Sequence, residues 1–181
     1  FKEPREKVIQ YPHHLIGGQR QRILIAIAVA CNPSMIIADE PTTALDVATE
    51  GHILGLLKDL AEQNQMSMLF ITHNLHIMKI MGIRVGIMYA GRLLEINTVH
   101  DFYRNPLHPY SIGLLESMAC AKDIRGELKT ILGSVPNLSA LPKGCKFHPR
   151  CVHCMPRCKD DEPPLVNIGE YSWVRCFLYQ N

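Results

Sequence analysis

The chain has 181 residues, of which 47% are apolar and 20% charged, and its formal net charge is +2. This composition is that of a globular protein and excludes a disordered chain, and so small a charge argues against a protein that coats nucleic acid. The longest apolar run, residues 23–31, is far shorter than the roughly 20 residues of a bilayer span, so no transmembrane segment is predicted. The sequence opens on Phe1 rather than Met and has no signal-peptide pattern, and we expect a truncated chain.

Hydrophobic periodicity predicts alternating helices and strands as far as residue 96. Helices are predicted at 19–31, 46–63 and 74–81. Strands are predicted at 35–38, 66–71, 83–89 and 92–96. The first helix is apolar on all sides, and we therefore expect it to be buried. Short apolar strands between helices indicate an α/β fold with a mostly parallel sheet, and the last two strands should pair as a hairpin.

The pattern changes near Asn97. Two short helices are predicted at 98–104 and 107–118, and from residue 126 onward Pro, Gly and Cys dominate while periodicity fades. We therefore expect a small irregular appendage at the end of the chain, which would hold five of the 7 cysteines.

Two acidic residues, Asp39 and Glu40, follow the first predicted strand. The carboxyl ends of strands are where open α/β sheets bind their ligands. An Asp there can hold Mg²⁺ directly or through water, and a neighbouring Glu can polarise an attacking water. The alternative is that both acids only cap the turn or helix that follows.

Further candidate groups lie on either side of this acidic pair. Gly17 and Gly18 precede a helix, where exposed backbone N–H groups and the helix dipole suit a phosphate, although a Gly-Gly pair is also a common turn. His73 ends the next strand and would emerge at the same sheet edge as Asp39 and Glu40, although a single His in such a place is more often structural.

Together these segments resemble the ATP-binding subunits of ABC transporters. LIGGQRQR at 15–22 resembles the signature motif, IIADEPTTALD at 36–46 resembles Walker B with the D-loop, and ITHNL at 71–75 resembles the H-loop. MYAGR at 88–92, NPLHPY at 105–110, GSVP at 133–136 and the cysteine-rich end resemble the oligopeptide/dipeptide (and nickel) importer branch. The resemblance implies that residues 1–97 are the C-terminal part of an ABC ATPase domain and that 98–181 are the importer's C-terminal region.

By this resemblance the subunit binds and hydrolyses ATP with Mg²⁺. Asp39 would coordinate Mg²⁺ through water, Glu40 would be the general base, and His73 would contact the γ-phosphate. Residues of the signature motif and D-loop would reach the ATP of a second ATP-binding subunit, like or unlike, and link the two sites: Gly17, Gly18, Gln19 and Asp46.

The resemblance also implies partners and a location. The paired ATP-binding subunits would drive two integral membrane permease subunits, which receive peptide from an extracytoplasmic solute-binding protein, and nucleic acid would not be a partner. The subunit would lie peripherally on the cytoplasmic face of the cell membrane.

Two departures from the family pattern limit these expectations. Ile16 stands where the family has the signature serine, so a hydroxyl donor to the γ-phosphate is lost, and we expect the site completed by this motif to be weakened. The sequence also contains no Gly-x-x-x-x-Gly-Lys-[Ser/Thr] phosphate loop, and we expect the chain not to bind ATP usefully by itself. The missing phosphate loop suggests the C-terminal portion of a longer subunit.

The cysteines of the tail are candidate metal ligands. Cys145, Cys151, Cys158 and Cys176 match the pattern of the importer tail, where some members carry a [4Fe–4S] cluster. A cluster, structural Zn²⁺ and unligated thiols remain open in that order of preference, and disulfides are disfavoured in a cytosolic protein. Cys154 is a spare thiol or a substitute ligand.

Other residues of these segments are predicted to be structural. Cys31 and Cys120 lie in apolar helical contexts and are expected in the core. His108, Pro109 and Tyr110 are expected to form a structural connector.

The leading function is therefore an ATPase subunit of a peptide importer. The alternative is a non-catalytic or degenerate-site partner subunit with a metal-bound structural or regulatory tail, which Ile16 and the missing phosphate loop favour. A soluble ABC-type ATPase acting on DNA or ribosomes is disfavoured by the near-neutral charge and the tail.

Overall fold

The structure is a computed structural model that describes Pro4, residues 9–120 and residues 130–180, with the backbone alone at 119 and 120. The chain divides into two compact units, Phe1–Met81 and Gly82–Asn181. The division lies before the predicted hairpin, because that hairpin joins the sheet of the second unit. The boundary predicted near residue 97 rests instead on the change of sequence pattern there and on the family resemblance.

The first unit alternates helices with two parallel strands. Its elements in chain order are α1 (Gly17–Val29), β1 (Met35–Asp39), α2 (Val47–Gln63), β2 (Ser67–Ile71) and α3 (Leu75–Met81), preceded by a 3-10 turn at Pro12–His14. β1 and β2 pair in parallel from Met35 opposite Ser67 to Asp39 opposite Ile71. The register places both carboxyl ends at one edge.

A small core holds these elements together. Ile25 of α1 is buried with Ile53 and Leu57 of α2. The expectation that α1 is buried on all sides is wrong, because α1 packs on α2 through a single stripe and Ile27 is exposed. Cys31, expected in the core, is also exposed, since it follows the end of α1.

The second unit is built on an antiparallel sheet. Its strands are β3 (Arg84–Tyr89), β4 (Arg92–Thr98), β5 (Val166–Gly169) and β6 (Ser172–Val174), in the spatial order β3-β4-β6-β5. Its helices are α4 (Val99–Arg104), α5 (Pro109–Cys120) and α6 (Arg157–Asp160), with 3-10 turns at His148–Arg150 and Phe177–Tyr179. The α/β class and the β3–β4 hairpin are confirmed, but among the described strands only β1 and β2 pair in parallel.

The expected appendage is more regular than its sequence suggested. β6 pairs with β4, so that Trp173 lies opposite Ile96 and Val174 lies opposite Glu95. A core cluster joins β3 and β4 to the tail and contains Tyr89, Leu94, Cys145, Phe147, Cys158 and Phe177. The tail therefore completes the unit that begins with the hairpin.

Candidate functional site

The parallel pairing of β1 and β2 brings Glu40 and His73 into contact. Glu40 directly follows β1, and His73 follows β2 after one intervening residue. The Nδ1 atom of His73 lies 2.8 Å from Oε1 of Glu40, and the backbone N–H of His73 donates to the same oxygen at 3.2 Å. Asp39, the last residue of β1, is exposed at the same sheet edge. The structure thus brings together the three residues expected to act on Mg²⁺, water and the γ-phosphate.

Local hydrogen bonds hold the Glu40 carboxylate in its charged form. Thr43 Oγ1 donates to Glu40 Oε2 at 2.8 Å, and the hydrogen bonds from His73 and Thr43 lower the pKa of Glu40 below its usual value. Glu40 also has a φ of +47°, a conformation that non-glycine residues adopt rarely and that clusters at functional sites. With its side chain 81% exposed, His73 keeps its ring accessible to a ligand.

The two signature glycines open α1. Ile16 is the N-cap residue, and Gln19 reaches back so that its Oε1 accepts the N–H of Ile16 at 3.4 Å. Ile16 is 70% exposed and offers no side-chain acceptor or donor at this helix start. The first turn of α1 therefore depends on backbone N–H groups for any contact with an anion.

The start of α1 packs against the start of α2. A Cβ added to Gly18 would lie 2.5 Å from Cγ2 of Thr49, and one added to Gly17 would lie 3.3 Å from Cδ2 of Leu45. Asp46 caps α2, because its carboxylate accepts the N–H of Thr49 at 2.9 Å and its hydroxyl at 2.7 Å, and these bonds lower the pKa of Asp46. Gly18 and Asp46 therefore both adjoin Thr49, whereas Gly17 adjoins Leu45, the residue before Asp46.

Sequence reasoning missed Thr43 and Thr49. Each lies three residues after the carboxylate that it contacts. The Asp-x-x-Thr spacing before an apolar helix was a usable signal for Asp46 and Thr49, since an N-cap carboxylate accepts from the third residue onward.

In the second unit, the four predicted cysteines line one small cavity. The cavity has a volume of about 10 Å³, room for a single water-sized sphere, and Cys145, Cys151, Cys158 and Cys176 all contribute to its wall. His108, Phe147 and Phe177 line it as well. The fold thus gathers thiols that are up to 31 residues apart in sequence, from Cys145 to Cys176.

Backbone donors point at these sulfurs. Burial raises the pKa of Cys145, Cys151 and Cys176, and the backbone N–H groups of the residues two positions after them, Phe147, His153 and Leu178, offset part of that rise. The N–H of Met155 donates to Sγ of Cys158 at 3.4 Å. Such bonds stabilise thiolates, the form that binds metals.

Burial works against these donors. It raises the pKa of Cys145 and Cys176 and raises that of Cys151 to about 11, so the thiols are neutral without a nearby cation. Among residues 9–120 and 130–180, no group of three or more His, Cys, Asp and Glu side chains is arranged to hold a metal ion. The four cysteines share one cavity, but the predicted ligating arrangement is not present among the described residues. Cys154 lies at the edge of this group, and its Sγ contacts the carbonyl of Met155 at 3.6 Å.

Sequence reasoning also missed a buried carboxylate beside the cavity. Glu95 of β4 is fully buried and accepts the backbone N–H groups of Leu107 and His108 at 2.9–3.1 Å. His108 itself is 1% exposed, and burial lowers its pKa to about 4. A lone Glu in an otherwise apolar strand, Leu93-Leu94-Glu95-Ile96, was the available signal.

Comparison with known families agrees with these motifs. Residues 2–43 match the family described as ABC transporter, and residues 94–158 match the family described as oligopeptide/dipeptide transporter, C-terminal region. Among solved structures, the dimeric bacterial ABC transporter cassette MJ0796 is 37% identical, covering 50% of this chain and 38% of its own, with a TM-score of 0.46.

Curated relatives match almost the whole chain. The oligopeptide transport ATP-binding protein AppD of Bacillus subtilis is 45% identical over 99% of this chain and 55% of its own length. OppD of Salmonella typhimurium, also an oligopeptide transport ATP-binding protein, is 45% identical over 97% and 52%. The dipeptide transport ATP-binding protein DppD of Caldanaerobacter subterraneus is 38% identical over 98% and 54%.

The chain spans about half the length of the curated relatives that it matches. Both family matches, the order of the motifs and the near-complete coverage of this chain point the same way. Over almost its whole length the chain is similar to the ATP-binding subunits of oligopeptide and dipeptide ABC transporters.

Proposed function

We propose that the chain acts within the ATP-hydrolysing, energy-coupling subunit of a peptide importer. The contact between Glu40 and His73 at the carboxyl ends of adjacent parallel strands carries this proposal. In this proposal Asp39 would hold Mg²⁺, Glu40 would accept a proton from the attacking water, and His73 would contact the γ-phosphate. Bound Mg²⁺ would supply positive charge to offset the charge that develops on the phosphates.

The electrostatics of Glu40 support this assignment. Its lowered pKa keeps the carboxylate ionised at neutral pH, so it can accept a hydrogen bond from water. Its bond to His73 fixes the imidazole with Nδ1 as the donor to Glu40, and the exposed ring leaves Nε2 for a phosphate oxygen. One carboxylate thus orients both the water and the histidine.

The glycine start of α1 supports a role towards a second subunit. Backbone N–H groups at Gly17, Gly18 and Gln19 form the positive end of a helix of 13 residues, which suits a phosphate. In this proposal they reach the ATP of the partner ATP-binding subunit, and Asp46 links the two sites.

ATPase turnover in the assembled importer tests the catalytic role. Glu40→Gln should lower turnover by about 10²–10⁴-fold, the usual contribution of a general base. Glu62→Gln, which changes an exposed carboxylate of α2, should leave turnover unchanged. Wild-type turnover by Glu40→Gln would contradict the assignment.

A second candidate function is a degenerate-site partner subunit, and Ile16 favours it. The missing serine hydroxyl removes one charge-assisted hydrogen bond, worth roughly 1.5–3 kcal/mol. Ile16→Ser should therefore raise turnover about tenfold or more in the assembled importer, whereas Ile16→Ala, which shortens the side chain without adding a hydroxyl, should not. Equal turnover by both variants would remove this candidate.

Peptides as cargo, two permease subunits and an extracytoplasmic solute-binding protein belong to the same proposal, as does a peripheral position on the cytoplasmic face of the membrane. The names of AppD, OppD and DppD support peptide transport. In the described part of the chain, no helix has the length and apolar character needed to span a bilayer.

We also propose that Cys145, Cys151, Cys158 and Cys176 bind a metal centre as thiolates, with a [4Fe–4S] cluster preferred and Zn²⁺ as the alternative. Their shared cavity and the backbone N–H groups aimed at their sulfurs support it. A bound metal supplies the positive charge that makes buried thiolates stable.

Metal analysis of anaerobically purified protein tests this centre. Iron with sulfide, or zinc, should accompany the wild-type chain, and Cys158→Ser should lose it while Cys154→Ser keeps it. Wild-type protein without either metal would overturn the proposal.

A further inference from the structure

His108 holds a buried ring nitrogen that takes no part in the contacts described above. Its side chain is 1% exposed, and Nε2 has no hydrogen-bond partner among the described residues. A buried donor or acceptor without a partner is unfavourable and rare in folded proteins, so such an atom calls for a specific explanation.

The other ring nitrogen decides which group Nε2 carries. The backbone N–H of Tyr110 donates to Nδ1 of His108 at 3.0 Å. Since Nδ1 accepts this bond, it bears no proton, and the ring proton of the neutral imidazole is on Nε2. Nε2–H is therefore a donor, and it cannot act as a metal ligand while Nδ1 keeps its bond to Tyr110.

The ring is also fixed in place. Glu95 accepts the N–H of His108 at 2.9 Å, and the imidazole packs edge-to-face on Phe147 with ring centroids 5.7 Å apart. Pro109 follows directly and restricts the backbone further. His108 therefore presents its N–H from a rigid position.

The cavity that His108 lines is also lined by the four tail cysteines. A thiol is a weak hydrogen-bond acceptor, whereas a metal-bound thiolate or a cluster sulfide carries negative charge and accepts well. A metal centre would thus provide the acceptor that the described residues do not.

Resting on the metal centre proposed above, we infer that His108 is a positioning residue that donates its Nε2–H to a sulfur of that centre. It therefore does more than connect two segments. The imidazole N–H stabilises the added electron on a cluster, because hydrogen bonds to the sulfurs raise the reduction potential. In a zinc centre the same bond stabilises the thiolate ligand.

Two variants separate this role from a purely structural one. His108→Phe keeps the ring but loses both nitrogens, whereas His108→Asn keeps a short acceptor for the N–H of Tyr110 and loses the reach of the imidazole N–H. If His108 only caps α5, the Asn variant should behave as wild type. If it donates to sulfur, both variants should change the metal centre.

The test uses the full chain with its metal. For a cluster, both variants should reduce about tenfold less readily, a shift of ~59 mV in a one-electron midpoint potential. If the centre is zinc, Co²⁺ is substituted for Zn²⁺ and the thiolate-to-metal charge-transfer absorption band is measured. This band should lie at longer wavelength in both variants than in the wild-type protein. His148→Asn, which changes another histidine of the cavity wall that already contacts the carbonyl of Cys145, is the matched control and should cause neither change.

The outcomes distinguish the two proposals. Wild-type protein that binds neither iron nor zinc overturns the metal centre itself. If His108→Asn and His148→Asn both bind metal with the wild-type midpoint potential or absorption band, the role of His108 is overturned while the metal centre stands.

Discussion

The two units of the chain differ in how much apolar surface they bury. In Phe1–Met81, alternate side chains of β1 and β2 are exposed, among them Ile37 at 65% and Leu69 at 46%. In Gly82–Asn181, Phe102, Leu94 and Val174 are at most 1% exposed. The residues expected to act on ATP therefore lie on thinly packed elements, whereas the tail with its cysteines is stabilised by a core of its own.

This difference has a consequence for mutation. Free energy of unfolding follows buried apolar area and tight contacts, so changes in the second unit should affect stability most. Changes at the exposed residues of the first unit should instead affect ATPase turnover and the pKa values of nearby side chains.

The largest expected loss follows removal of Phe102, which is fully buried in α4. Phe102→Ala should lower the free energy of unfolding by about 3–5 kcal/mol, through lost burial and an unfilled cavity. Chemical denaturation followed by Trp173, the only tryptophan of the chain, measures it in the second unit. Leu138→Ala at an exposed position should cost less than about 0.5 kcal/mol, and equal losses for both would break the comparison.

The next effect is at Gly144, whose φ is +59°. A Cβ there would collide with the backbone carbonyl of Cys158 and lie 2.8 Å from the carbonyl carbon of Lys159. Gly144→Ala should cost about 3 kcal/mol and disturb metal binding, because strain and collision add. Gly91→Ala, with φ +73° and open space around it, should lose only about 1 kcal/mol.

A smaller effect is expected at Gly18 in the first unit. Gly18→Ala brings a methyl group against Cγ2 of Thr49 and should destabilise by about 1–3 kcal/mol, as overpacking does. Gly55→Ala, on α2 with nothing near its Cβ, should instead stabilise by about 0.5–1 kcal/mol. Thermal unfolding followed by circular dichroism compares them, and the same sign for both would contradict the close approach.

The titration of Glu40 provides a subtler test. Its folded-state pKa is lowered by His73 and Thr43, so its contribution to stability is present above the unfolded pKa and is lost as the pH falls through the folded value. Carboxyl NMR should show Glu40 titrating below its usual range, and His73→Ala should raise that pKa. An unchanged pKa in His73→Ala would show that the contact does not persist in solution.

The smallest expected effect is at Ile37, on the exposed face of β1. Ile37→Thr keeps β-branching and should change the free energy of unfolding of this chain by no more than about 0.5 kcal/mol. Denaturant unfolding measures it, and a loss above about 2 kcal/mol would show that this face is covered.

Sequence reasoning located the elements of the first unit well, because their signals are local. The apolar run from Met35 and the Asp before α2 each mark an element within a residue of its observed limit. The contact between Glu40 and His73 was also predictable from the sequence, since the carboxyl ends of neighbouring parallel strands lie at the same edge of a sheet. The left-handed φ of Glu40 was not predictable, because a glutamate residue does not itself require that conformation.

Prediction failed where pairing is long-range. β5 and β6 are short and lie in a Pro- and Cys-rich segment. Besides β5, β6 pairs with β4, where Val174 lies opposite Glu95, 79 residues earlier, so its regular structure depends on a distant partner. The burial of His108 was not predicted, because it depends on contacts with Phe147 and Glu95, which lie in other segments of the chain. Burial of α1 was overestimated because composition does not reveal how many neighbours a helix has.

The pairing of β6 with β4 also sets an order of events during synthesis. The β3–β4 hairpin and the first three cysteines of the cavity leave the ribosome before Cys176, which lies two residues after β6. In the folded chain Arg175, directly before Cys176, donates to the carbonyls of Leu93 and Leu94 and so ties this part of the cavity wall to β4. The cavity wall is therefore finished late, and until then the three earlier thiols are open to oxidation or to the wrong metal.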